Sequence, residues 1–101
     1  MTVVERTRTV SHFIGGDEVP SASGRTFASI DPSTGQEVAQ VAFGEAEDID
    51  RAVAAGRAAF ESGSWSKAAP GHRAAVMRRL ADLSRADAER IGRIESMDTG
   101  K

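Results

Sequence analysis

Near Phe43 the apolar residues change their period, and that switch constrains the fold more than anything else in the chain. Before it, Ala39, Val41 and Phe43 alternate, the pattern of a strand with one covered face. After it, Ile49, Ala52, Val53, Gly56, Ala59 and Phe60 recur at helical spacing. Two further stripes follow, Val76, Met77, Leu80 and Leu83, then Ile91, Ile94 and Met97. Strands are therefore expected first and three amphipathic helices after them. The sequence has no continuously apolar run of the kind that fills the centre of a parallel sheet, and no repeated strand–helix–strand unit. The helices have apolar faces, but these 101 residues encode no sheet large enough to take them. The layer they cover is expected to lie beyond Lys101.

Local chemistry punctuates this pattern. Residues 1–11 are polar and β-branched and read as a flexible N-terminal arm. From His12 to Val19 a short strand is interrupted by Gly15-Gly16, which predicts a hairpin. Thr26 to Ile30 and Glu37 to Phe43 read as two more strands, joined by Asp31-Pro32-Ser33-Thr34-Gly35. Proline presets the backbone for such a turn, and glycine closes it. Glu45, Glu47, Asp48 and Asp50 crowd the start of the first helix, where the positive helix end favours carboxylates. Gly63 ends that helix and Pro70 suits the first position of the next, although Ala69 is a poor cap. Trp65 is expected to anchor the connection between them. Ser84 to Asp87 reads as a break that recaps a third helix, which Gly100 closes with a left-handed turn.

Composition narrows the function classes. The formal net charge of −2 points to neither nucleic acid nor an anionic membrane as a partner. No stretch approaches the ~20 apolar residues of a membrane span, and Met1 to Arg8 lacks the apolar run of a signal peptide. The chain has no cysteine, which fits a reducing, cytoplasmic setting and excludes thiolate chemistry by these residues. Arg73, Arg78, Arg79, Arg85, Arg90 and Arg93 raise a helix-turn-helix reading, but Asp82, Asp87, Glu89 and Glu95 are interleaved among them, as on a solvated face. Asp98-Thr99-Gly100 raises an aspartic protease reading. There the triplet would follow a strand, whereas here it continues the helical spacing of Ile91, Ile94 and Met97. Neither His12 nor His72 has a partner at metal-ligand spacing.

Six stretches carry a family likeness: His12-Phe13-Ile14-Gly15-Gly16, Ala22 to Phe27, Ile30 to Val38, Ala46 to Val53, Gly63 to Lys67, and Glu95 to Lys101. In this order and spacing the chain resembles the N-terminal segment of NAD(P)-dependent aldehyde dehydrogenases. The resemblance implies an α/β fragment over residues 12–101: a short strand meander, then two to three helices on the periphery of the nucleotide-binding domain. It also implies oxidation of an aldehyde to a carboxylic acid with NAD or NADP, by a cysteine nucleophile and a glutamate base. These 101 residues contain neither the cysteine nor the matching glutamate motif, so the chain alone is expected to be inactive and to bind no cofactor. The expected partner is the remainder of the subunit, or other copies in a full-length homo-oligomer. The alternative is a stand-alone interaction module or a split-enzyme subunit that binds through its helix faces. By position, the resemblance also implies a monovalent-cation site from the carbonyls of Ser29 and Ile30 and the carboxylate of Asp98, with a further ligand from beyond residue 101. The plainer reading of Asp98 is a carboxylate bonding backbone N–H groups at the helix end. Asp31 and Glu18 depart from the family pattern, which usually has asparagine and often an aromatic there; with Ala69, they imply mild destabilisation.

Overall fold

The structure, a computed structural model, describes residues 8–101. Five short strands precede three helices: β1 Arg8–Val10, β2 His12–Ile14, β3 Asp17–Val19, β4 Thr26–Ile30, β5 Glu37–Ala42, α1 Ala46–Ser62, α2 Pro70–Ala86 and α3 Ala88–Thr99. The expected switch from strands to helices is there, but the strands do not form one meander. β2 and β3 make a separate hairpin, turned by Gly15 and Gly16 with φ of 64° and 88°. Positive φ at both central residues marks the tight turn whose twist matches its strands. The remaining strands form a sheet in the order β1-β5-β4. β4 runs antiparallel to β5, and β1 runs parallel to it on the other side.

β1 departs from the sequence expectation. Arg8–Val10 lie in the stretch read as a flexible arm, yet they pair with Ala39–Val41. The rest of that expectation, over residues 1–7, lies outside the described residues. The physical reason is that β5 pairs with β4 along one edge and would otherwise leave the N–H and C=O groups of its other edge open, a ladder that three residues of β1 join. β5 is also covered on both faces. Ala39 and Ala42, of opposite parity, are its buried apolar residues, whereas alternation alone predicts one covered face. Phe43 follows β5, donates its N–H to the Arg25 carbonyl at 2.9 Å, and meets Phe27 edge-to-face at 6.4 Å.

The helices end where local chemistry says they should. α1 stops at Gly63, whose N–H donates to the Phe60 carbonyl at 3.2 Å. α2 begins at Pro70 with no side-chain cap from Ala69. Asp87 separates α2 from α3, but its carboxylate accepts from the Arg90 guanidinium, Nε at 3.0 Å, and does not cap the backbone. Gly100 closes α3 at φ 78°, donating to the Ser96 carbonyl at 2.8 Å. The Asp-Thr-Gly triplet thus ends a helix and does not sit on a post-strand loop. Trp65 does not anchor the α1–α2 connection as expected, because 44% of its surface stays exposed.

The apolar core is small. Among the described residues, Ala39 and Ala42 are the buried apolar side chains. The helical stripes remain open: Val53 is 66% exposed, Phe60 62% and Leu80 55%, with Ile49, Met77, Leu83 and Ile91 also exposed. The radius of gyration is 17.2 Å, where about 13 Å is typical of a compact domain near 100 residues. No helix among the described residues is long and apolar enough to cross a membrane.

Candidate functional site

Three places in the fold gather polar or apolar groups in a way that bears on function. The first is the N-terminus of α1. Asp48 sits at its third position and is only 3% exposed. One carboxylate oxygen accepts the Ala22 N–H at 2.9 Å and the other the Glu45 N–H at 3.0 Å. These bonds hold the charged form, Glu45 most and Ala22 next, and keep the Asp48 carboxyl below its ordinary 3.8 despite burial. Arg51 adds positive charge nearby, as does His12 when it is protonated. His12 Nε2 stands 3.8 Å from Asp48 Oδ2, too far for a hydrogen bond, and is buried without a hydrogen-bond partner among the described residues. Asp48 therefore fastens the loop after β3 to the start of α1, beside β2. The sequence reading took it as one of four interchangeable acids. The signal that distinguishes it is its spacing from Glu45, that of an N-cap and its third helical residue.

The second place is the turn after β4. Asp31 accepts the Ser33 N–H at 2.8 Å and the Ser33 hydroxyl at 2.6 Å, while its own N–H and carbonyl bond Gln36 and Gly35. Those Ser33 bonds lower the Asp31 pKa, with Thr34 assisting and burial opposing. A carboxylate serves this turn well, so the destabilisation expected from the missing asparagine has no structural counterpart. Gly100 rests on this turn; a Cβ there would come within 2.9 Å of the Pro32 ring. Ile30 ends β4 just before the turn, and Asp98 lies two residues before Gly100. Helix end and strand end are thus brought to one corner. Asp98 Oδ1 lies 3.5 Å from a guanidinium nitrogen of Arg8. Its partner is therefore a side chain from β1 and not the backbone N–H groups of the plainer reading.

The third place is the apolar side of α1. A shallow trough lies between the hairpin and the helix, lined by Phe13, Gly15, Gly16, Ala52, Gly56 and Ala59. Val53 and Phe60 extend it around the helix. It contains no nucleophile, and among the described residues no group of three or more His, Cys, Asp or Glu could hold a metal ion. On α2 and α3, Arg85 pairs with Asp82 at 3.3 Å and Arg93 with Glu89 at 3.5 Å, acids of their own helices. The geometry offers surfaces to be covered and no constellation for bond chemistry.

Comparison with known proteins places the chain in a family. A family model described as the aldehyde dehydrogenase family matches residues 19–101. The chain is 47% identical over 95 residues to aldehyde dehydrogenase family 2 member B4, mitochondrial, of Arabidopsis thaliana, covering 91% of this chain and 18% of that protein. It is 45% identical over 89 residues to the NADP/NAD-dependent aldehyde dehydrogenase PuuC of Escherichia coli, covering 88% of this chain and 18% of that one. An NAD-dependent aldehyde dehydrogenase from Sinorhizobium meliloti superposes with a TM-score of 0.91 at 32% identity, over 97% of this chain and 20% of that structure. The chain thus spans about a fifth of the length of the relatives it matches. Its α/β arrangement is the one found in a fragment of their nucleotide-binding domain, and the chain belongs to the aldehyde dehydrogenase family.

Proposed function

We propose that this chain is the outer, N-terminal part of a dehydrogenase subunit that oxidises an aldehyde to a carboxylic acid with NAD or NADP. The observation that carries the proposal is the row of open apolar stripes on α1 and α2 beside a core of two alanines. Exposed apolar area of that extent marks an interaction face, and the relatives are about five times longer than this chain. In the assembled subunit these helices cover a nucleotide-binding sheet that other residues supply. The cofactor, when bound there, takes the hydride from the substrate. The thiolate nucleophile also comes from outside these 101 residues, which contain no cysteine. The role of the chain is scaffolding: Asp48 fixes the entry to α1, and Gly100 seats α3 on the Pro32 turn. Taken alone, the chain is inactive and binds no cofactor. Assembly with further copies and a cytoplasmic setting belong to the same proposal.

The test is complementation. The 101-residue chain is mixed with the Escherichia coli relative lacking its matching segment, and NAD reduction is followed with an aldehyde. Activity only in the mixture is the expected result. Activity of the chain alone would overturn the proposal. So would a protease-resistant, monodisperse chain that ignores the truncated relative, which would favour the stand-alone interaction module.

A further inference from the structure

Four observations meet at the corner where α3 ends. Arg8 of β1 stands in register with Ala39 of β5, which stands in register with Ser29 of β4. One row of the sheet therefore runs Arg8, Ala39, Ser29, with Ala39 buried at its centre. Asp98 reaches that row from α3 and meets the Arg8 guanidinium at 3.5 Å. Gly100, two residues on, closes against Pro32, so the end of α3 is pinned beside the turn that follows Ile30. Finally, Arg8 Nε is buried with no hydrogen-bond acceptor among the described residues.

We propose that Arg8 supplies, from within the chain, the positive charge that the family resemblance assigns to a monovalent cation at Ser29, Ile30 and Asp98. A carboxylate already in contact with a guanidinium has its charge compensated, and a second cation at the same oxygens would meet like charge. Arg8 also holds a competitive advantage. Its pairing along β5 delivers the guanidinium to Asp98 without the loss of translational freedom that capturing a free ion entails. A guanidinium is permanently charged and less tightly hydrated than an ammonium, so it gives up water more readily for a carboxylate. The Nε–H of Arg8, without an acceptor among the described residues, adds a donor to spare at this corner. Arg8 and Asp98 keep 30% and 39% of their side-chain surface exposed, so an ion from solution can reach the pair and the exchange can be tested.

The probe is thallium(I), which substitutes for potassium and is read directly by thallium NMR. The full 101-residue chain is compared with Arg8→Gln, Arg8→Lys and the double variant Arg8→Gln/Asp98→Asn. Saturable thallium binding is expected in Arg8→Gln alone, at concentrations about tenfold or more below any non-saturable uptake by the unaltered chain, with potassium competing and choline not. In parallel, hydrogen exchange of the Thr9 and Val10 amides should quicken in Arg8→Gln in choline chloride and slow again in potassium chloride. Saturable thallium binding by the unaltered chain would overturn the proposal and restore the bound cation. Absence of binding in Arg8→Gln would overturn it too, as would lost β1 protection that potassium does not restore, which would make the pair a plain structural contact. None of these readouts involves turnover, so their failure leaves the dehydrogenase reading untouched, and failed complementation leaves this one untouched.

Discussion

Among single residues, Asp48 does most to order the chain. Its two carboxylate oxygens hold two backbone N–H groups that are far apart in sequence, and its pKa is lowered by those bonds. A carboxyl whose folded pKa lies below the unfolded value contributes stability that is complete above the unfolded pKa and is lost as pH falls through the folded one. The junction should therefore loosen below about pH 4, seen as faster hydrogen exchange at the Ala22 and Glu45 amides. Asp31 acts in the same sense, so the two losses should overlap. Asp48→Ala should remove the protection of both amides at neutral pH, while Asp48→Asn, which keeps one acceptor, should spare one of them. The sequence shows four acids near the start of α1, and the spacing of Asp48 from Glu45 marks only the local half of its role. What separates Asp48 is the loop at Ala22 folding over it, a contact between residues 26 apart. Asp98 is a more extreme case, since its partner Arg8 is 90 residues away.

At the scale of elements, legibility followed locality. α1, α2 and α3 could be read because apolar stripes, Pro70, Gly63 and Gly100 are signals within a few residues of the features they set. The Gly15-Gly16 hairpin was legible for the same reason. β1 was not, since three residues of ordinary composition become a strand only because β5 offers an edge. The start of α2 is open to improvement. Ala69 has the extended backbone of a cap residue, φ −59° and ψ 143°, but no side-chain oxygen to use. Ala69→Asp should stabilise the helix by about 0.5–1 kcal/mol, read as increased helicity by circular dichroism and a higher urea midpoint. The end of α3 is the reverse case. Gly100→Ala forces a side chain into the left-handed region and towards the Pro32 ring. The backbone term alone should cost about 1–2 kcal/mol, seen as faster exchange of the residue 100 amide that bonds Ser96.

Taken whole, the molecule has well-formed elements and few buried contacts between them, which the long radius of gyration expresses. The isolated chain should bind a hydrophobic dye such as ANS, and binding should fall when the truncated Escherichia coli relative is added and covers the stripes. Val53→Glu on α1 should reduce dye binding of the isolated chain and weaken complementation together. The pairing of β1 with β5 has a further consequence, in time. During synthesis Ala39 follows Arg8 by 31 residues, a delay of roughly 2–6 s at about 5–20 residues per second. Asp98 follows Arg8 by 90 residues, roughly 5–18 s at the same rate. For that interval β1 waits unpaired with a positive charge on it, and a charged strand resists pairing with the wrong neighbour. The residue that later locks the corner can thus first serve as its gatekeeper, keeping β1 available until its partner strand and then its partner acid emerge.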